Sequence, residues 1–89
     1  MVNNRRSELE IISKILILSK EGAKKTEILY QGNLSYIQLK EYLFYLTERN
    51  LLEENTIRDN GNSSIFYKPT EKGLFFLIDA HKVMNQLSL

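Results

Sequence analysis

The sequence predicts a mainly α-helical chain carrying one small β-hairpin, an α+β class. Three observations carry this. Apolar residues recur at helical spacing in three separate stretches before residue 50. An Asn60-Gly61 pair then separates two short segments that favour extended structure. After Pro69 the chain returns to helical apolar spacing and holds it to about Leu87.

The first helix is expected from Ser7 to about Ser19. Ile11, Ile12, Ile15, Leu16 and Leu18 share a broad face with Leu9. Ser7 is placed to cap it, and Glu10 completes a capping box. Lys20 falls in the last turn and Gly22 just past it, as a helix C-terminus prefers. The apolar run Ile15–Leu18 would also suit a strand, but length and caps favour a helix. A shorter helix follows over about 24–31, with Ile28 and Leu29 inward and Thr26 near its start. Gly32-Asn33 makes a tight turn and Leu34 is an anchor. Ser35 and Gln38 form a second capping box for a helix over about 35–49, striped by Leu39, Leu43 and Leu46.

The period then changes. Leu51–Arg58 and Ser64–Lys68 read as strands, joined by the turn Asp59-Asn60-Gly61-Asn62. Pro69 ends the second strand, and Thr70 caps a last helix from Glu71 to about Leu87. A short helix joined by a Gly-containing turn to a longer one is a helix-turn-helix. The hairpin directly after it makes the expected fold a winged one, in the order α-α-α-β-β-α.

Composition bounds the function. The 89 residues make one domain, with a head over about 7–70 and a last helix over 71–89. Hydrophobic residues at 43% and charged residues at 26% argue against disorder. The longest apolar runs, Ile15–Leu18 and Leu74–Ile78, fall well short of the roughly 18–20 residues that cross a bilayer. No small-residue cleavage site follows Arg5 and Arg6, so the expectation is a soluble, cytoplasmic chain without a membrane partner. There is no cysteine and one histidine, His81, which leaves no thiolate or zinc site. His81 itself reads as a polar residue beside the last helix's apolar face, next to Lys82. No Gly-rich phosphate loop or catalytic spacing appears; neither an enzyme, a cofactor nor a small-molecule ligand is expected. Net charge is +1, with seven Lys/Arg against five Asp/Glu in residues 1–47 and five against six in 48–89. Charge alone therefore does not announce a nucleic-acid partner.

The run Glu21-Gly22-Ala23-Lys24-Lys25-Thr26-Glu27-Ile28-Leu29-Tyr30, followed by Asn33-Leu34-Ser35-Tyr36-Ile37-Gln38-Leu39-Lys40-Glu41-Tyr42-Leu43, resembles archaeal winged-helix DNA-binding proteins. These are small dimeric transcription regulators and ten-kilodalton chromatin-associated proteins. The resemblance continues through Leu51-Leu52 into Tyr67-Lys68-Pro69-Thr70-Glu71-Lys72-Gly73 and covers roughly residues 8–78. It implies a homodimer paired through the last helix, with two winged heads on double-stranded DNA. Asn50 stands where the family usually has glycine, and the last helix is shorter than the long coiled coils of the chromatin members.

Under this reading Tyr36, Gln38 and Lys40 enter the major groove, Gln38 being suited to adenine, while Ser35 caps the helix and can meet a phosphate. Glu41 opposes phosphate, and reads a cytosine amino group or points away. Lys24 and Lys25 open the second helix beside Thr26, where the macrodipole favours acids, so two lysines there fit phosphate better than stability. Arg58, and less firmly Lys68, are the wing's contacts, the wing tip lying over about 58–64. Arg5 and Arg6 read as a basic arm or a solvated tail. Core packing is expected for Tyr30, Tyr42 and Tyr45, whereas Ile37 and Phe44 fall opposite the leucine stripe, toward thymine methyls or a protein partner. On the last helix Phe76, Ala80, Val83 and Leu87 form an expected dimer seam, with Leu74, Leu77, Ile78 and Met84 on a second apolar face from which Met84 also joins the expected dimer interface. A regulator is favoured over an architectural chromatin protein because binding without sequence preference needs many phosphate contacts. The remaining alternative is a winged-helix protein-interaction module.

Overall fold

The computed structural model describes residues 7–87. It contains α1 (Glu8–Leu18), α2 (Lys25–Gln31), α3 (Tyr36–Glu48), β1 (Leu52–Asp59), β2 (Asn62–Pro69) and α4 (Glu71–Leu87). This is the order read from the sequence.

Capping boxes set two of the helix starts. The Ser7 hydroxyl accepts the Glu10 N–H at 3.2 Å, and the Glu10 carboxylate accepts the Ser7 N–H at 3.2 Å. Ser35 and Gln38 repeat this for α3 at 3.1 and 3.0 Å. At α2 only half the motif exists: Glu27 accepts the N–H of the cap residue Lys24 at 2.8 Å. A lysine side chain has no acceptor to return. Asn33, at φ 55°, turns the chain between α2 and α3, and Leu34 then drops into the core.

The hairpin is built on Asn60 (φ 51°) and Gly61 (φ 81°), the paired positive φ values of a two-residue type I′ turn. Asp59 and Asn62, expected within the turn, are instead the first rung of the ladder, which runs to Leu52 opposite Pro69. A third backbone segment joins the base of the sheet. Ala23 and Tyr67 exchange N–H···O bonds of 2.9 and 2.7 Å in an antiparallel bridge. The loop before α2 is thereby tied to the wing.

One core unites the elements. Ile12, Ile15 and Leu16 of α1 meet Ile28 of α2, the α3 stripe Leu39/Leu43/Leu46, Leu51, Leu52 and Tyr67, and Leu77 of α4. Tyr42 packs half-buried against this cluster, but Tyr30 is 78% exposed and Tyr45 is exposed with the Arg49 guanidinium 3.9 Å from its ring centre. The expectation of core packing therefore fails for these two. In seven-residue α2 only Ile28 is buried, so Tyr30 is left facing solvent, and the leucine stripe fills α3's inner face without Tyr45.

The junction of α3 with α4 sets the rotation of the last helix. Asn50 adopts φ 64°, and its carbonyl accepts the Thr70 hydroxyl at 2.6 Å. The Thr70 hydroxyl oxygen in turn accepts the Gly73 N–H at 3.0 Å, so Thr70 caps α4 as expected. Lys72 Nζ donates to the Arg49 carbonyl at 3.0 Å, close to the C-terminus of α3. Gly73 presses on the Leu51 carbonyl. Residues in phase with Gly73 therefore turn inward: Leu77 and Ala80 are buried, and Met84 and Phe76 half-buried. Three residues expected at the dimer interface, Phe76, Ala80 and Met84, thus turn toward the chain's own head.

Candidate nucleic-acid interface

The outer face of α3 carries a ridge. Ile37 (69% exposed) and Phe44 (68% exposed) stand two turns apart on the side opposite the leucine stripe. Different charges flank it. Toward the wing, Lys40 and Phe44 share a hollow with Lys25, Thr47, Glu54 and Tyr67. Toward α1, Glu41 shares a second hollow with Glu8, Gln38, Tyr42 and Tyr45. The ridge separates a side holding Lys25, Lys40 and Glu54 from a side holding Glu8 and Glu41.

Lys40 Nζ lies 5.7 Å from the centre of the Tyr36 ring, placing cation and exposed aromatic together near the N-terminus of α3. Behind them, the Tyr67 hydroxyl donates to Glu54 Oε2 at 2.8 Å. Burial pushes the Tyr67 phenol up to about 12, with the Glu54 hydrogen bond and charge adding in the same direction. Glu54 thus brings one negative charge into the basic hollow.

Strand alternation sorts the wing residues. Arg58, paired with Ser63, shares a hairpin face with Glu54, Thr56, Ile65 and Tyr67, the face that meets the α3 hollow. Lys68, paired with Glu53, lies on the opposite face. Lys24 also lies on that side, in a hollow with Glu21, Glu27, Ile57 and Phe66.

The residues expected to bind together are consequently divided. Lys25, Tyr36, Lys40 and Arg58 belong to one side of the molecule, and Thr26 is exposed in the first turn of α2. Lys24 and Lys68 fall on the other side of the hairpin. Gln38 Oε1 already accepts the Ser35 N–H, and the side chain lines the hollow on the α1 flank. Arg5 and Arg6 lie outside the described residues, as does the side chain of Leu87. On α4 the exposed apolar residues are Leu74, Phe75 (62%), Ile78 (52%) and Val83. Phase alone could have found Phe75 only with the rotation of α4 known, because residues 74–78 are all apolar.

Among the described residues no group of His, Asp or Glu could hold a metal ion, and no helix is long and apolar enough to cross a membrane.

A three-helix head whose longer third helix is exposed beside a two-stranded wing defines a winged helix-turn-helix. The chain belongs to that family: the winged helix-turn-helix family model matches residues 5–88. Its fold is similar to that of Sso10a-2, a DNA-binding protein from Sulfolobus solfataricus, at TM-score 0.75 and 24% identity over 90% of this chain and 80% of that one. A PadR-like transcription factor from Bacteroides fragilis aligns at TM-score 0.71 and 25% identity, covering 89% and 82%. Lactococcus lactis ZitR in complex with DNA aligns at TM-score 0.67 and 13% identity, covering 94% and 57%. An uncharacterized Methanocaldococcus jannaschii protein is 35% identical over 52 residues; the match spans 57% of this chain and about half, 54%, of that relative.

Proposed function

We propose that this chain is a homodimeric DNA-binding transcription regulator whose α3 enters the major groove while the wing reaches an adjacent groove. The observation that carries the reading is the co-location of Lys25 and Lys40 beside the exposed ridge of α3, with Arg58 on the matching face of the wing. Lysine and arginine at such positions neutralise phosphates and fix the register of a recognition helix. The DNA-binding neighbours of the same fold support the class. The exposed Leu74, Phe75 and Ile78 of α4 supply the face for a second copy. A dimer would favour a target with two half-sites. A net charge of +1 supports a regulator over an architectural role, because sequence-independent binding needs more cations.

Fluorescence anisotropy with labelled random duplex DNA across a salt series tests this. The expected log–log slope is about −4 or steeper, reporting several phosphates per dimer. A folded protein with no duplex binding at low salt would defeat the proposal. The exposed Ile37/Phe44 ridge would then favour the second reading, a protein-interaction module.

A further inference from the structure

The α3 ridge has an unusual chemistry for a surface that reads base edges by hydrogen bonds. Its two most prominent side chains, Ile37 and Phe44, have no donor or acceptor. The amide best suited to adenine, Gln38, is held in the α3 cap and turned toward α1. Polar reach on the wing side is left to Lys40 and Tyr36, because the Thr47 hydroxyl donates to the Leu43 carbonyl of its own helix at 2.8 Å. In the major groove the one apolar feature of a base edge is the C5-methyl group of thymine.

We infer that Ile37 and Phe44 determine specificity by packing on thymine methyl groups in the major groove. The inference rests on the DNA-binding reading above and adds the chemistry that the recognition helix selects. Charge complementarity commits the ridge to DNA rather than to an apolar protein groove: Lys40 and Lys25 lie on its wing flank, where the one carboxylate, Glu54, accepts the Tyr67 hydroxyl, with Arg58 farther along the same wing face. Glu41 stays on the α1 flank, away from the lysines. Spacing sharpens the claim. Two helical turns separate the side chains by about 10 Å, so the two meet different base pairs of one half-site. Each half-site therefore carries at least two thymines, on either strand, at different base pairs.

The test compares one duplex in two forms. A preferred duplex is recovered by in vitro selection, then remade with every thymine replaced by deoxyuridine, which removes only the methyl groups. The wild-type protein is expected to bind the uracil form more weakly, by about fourfold for each thymine methyl that Ile37 or Phe44 covers. Ile37→Ala/Phe44→Ala should bind the thymine form as weakly as the wild type binds the uracil form, and should weaken by less than about twofold more on uracil. Both positions are exposed, and circular dichroism checks that the variant remains folded. Equal wild-type affinity for both forms overturns the inference while leaving DNA binding intact. So does a variant that binds more weakly yet keeps its full sensitivity to uracil, or a selected site without the paired thymines. Failure of the wild type to bind any duplex overturns the DNA reading itself, and this inference with it.

Discussion

The phenol of Tyr67 sits where the wing, the loop before α2 and the α3 hollow converge. Its proton is held to about 12 in the folded chain against an ordinary 10.0. Between those values the folded state binds the proton that the unfolded state has released, so stability is complete below about pH 10 and declines as pH rises toward 12. Urea unfolding is expected to show this alkaline decline in the wild type and not in Tyr67→Phe. That variant should also be less stable at neutral pH by about 1 kcal/mol, the cost of one hydrogen bond. The lysines give a second prediction at this scale. Lys25→Glu and Lys40→Glu should each weaken duplex binding and make the salt slope shallower by about 1 per protomer. Lys24→Glu, on the far side of the hairpin, should change the slope less. Residue types legible in the sequence did not reveal this division. Lys24 and Lys25 are neighbours in the chain, but the extended cap and the first helical residue send them into different hollows. Gln38 reads from the sequence as both a cap and an adenine ligand, and the folded chain shows the cap.

Elements were the most legible scale, because their boundaries rest on local chemistry. Ser7/Glu10, Ser35/Gln38 and Asn60-Gly61 each act within a few residues, and each sits where the sequence placed it. The rotation of α4 was not legible. It depends on the approach of Gly73 to the Leu51 carbonyl, a meeting of separate parts of the chain. Gly73→Ala would drive a methyl group into that carbonyl, and overpacking of this kind costs about 1–3 kcal/mol. Thermal unfolding should show the drop. Asn50 offers the complementary prediction at the same junction. At φ 64° it occupies left-handed backbone, so Asn50→Ala should destabilise by about 1 kcal/mol while Asn50→Gly stays near neutral.

At the scale of the whole molecule, the chain extends over 52 × 26 × 20 Å, and among the described residues apolar side chains cluster at the surface on the α3 ridge and the outer side of α4, besides Ile17, Tyr30, Ile57 and Ile65 elsewhere. The second face is the one proposed to receive a partner copy. Phe75→Glu/Ile78→Glu should therefore yield a folded monomer by light scattering, because neither side chain belongs to the core cluster. Its duplex binding should weaken, with about half the salt slope remaining, as one head replaces two. A variant that stays dimeric would remove α4's outer side from the interface. The seam drawn from sequence spacing included Ala80, which the folded chain already buries. Periodicity reveals that a helix has an apolar surplus; it does not tell which residues are the surplus.

The double hydrogen bond between Ala23 and Tyr67 also has a consequence for synthesis. Its partners lie about half the chain apart, so its closure is among the slower steps available to so small a domain. Translation releases α1, α2 and α3 while β2 is still unmade. During that interval Ala23 has no strand to meet, and the wing face that carries Arg58 does not exist. A chain truncated after Asp59 is expected to be cleaved readily near Ala23, and the full chain to resist. Until the second strand is made, the nascent polypeptide holds α3 without the wing that flanks it in the folded chain.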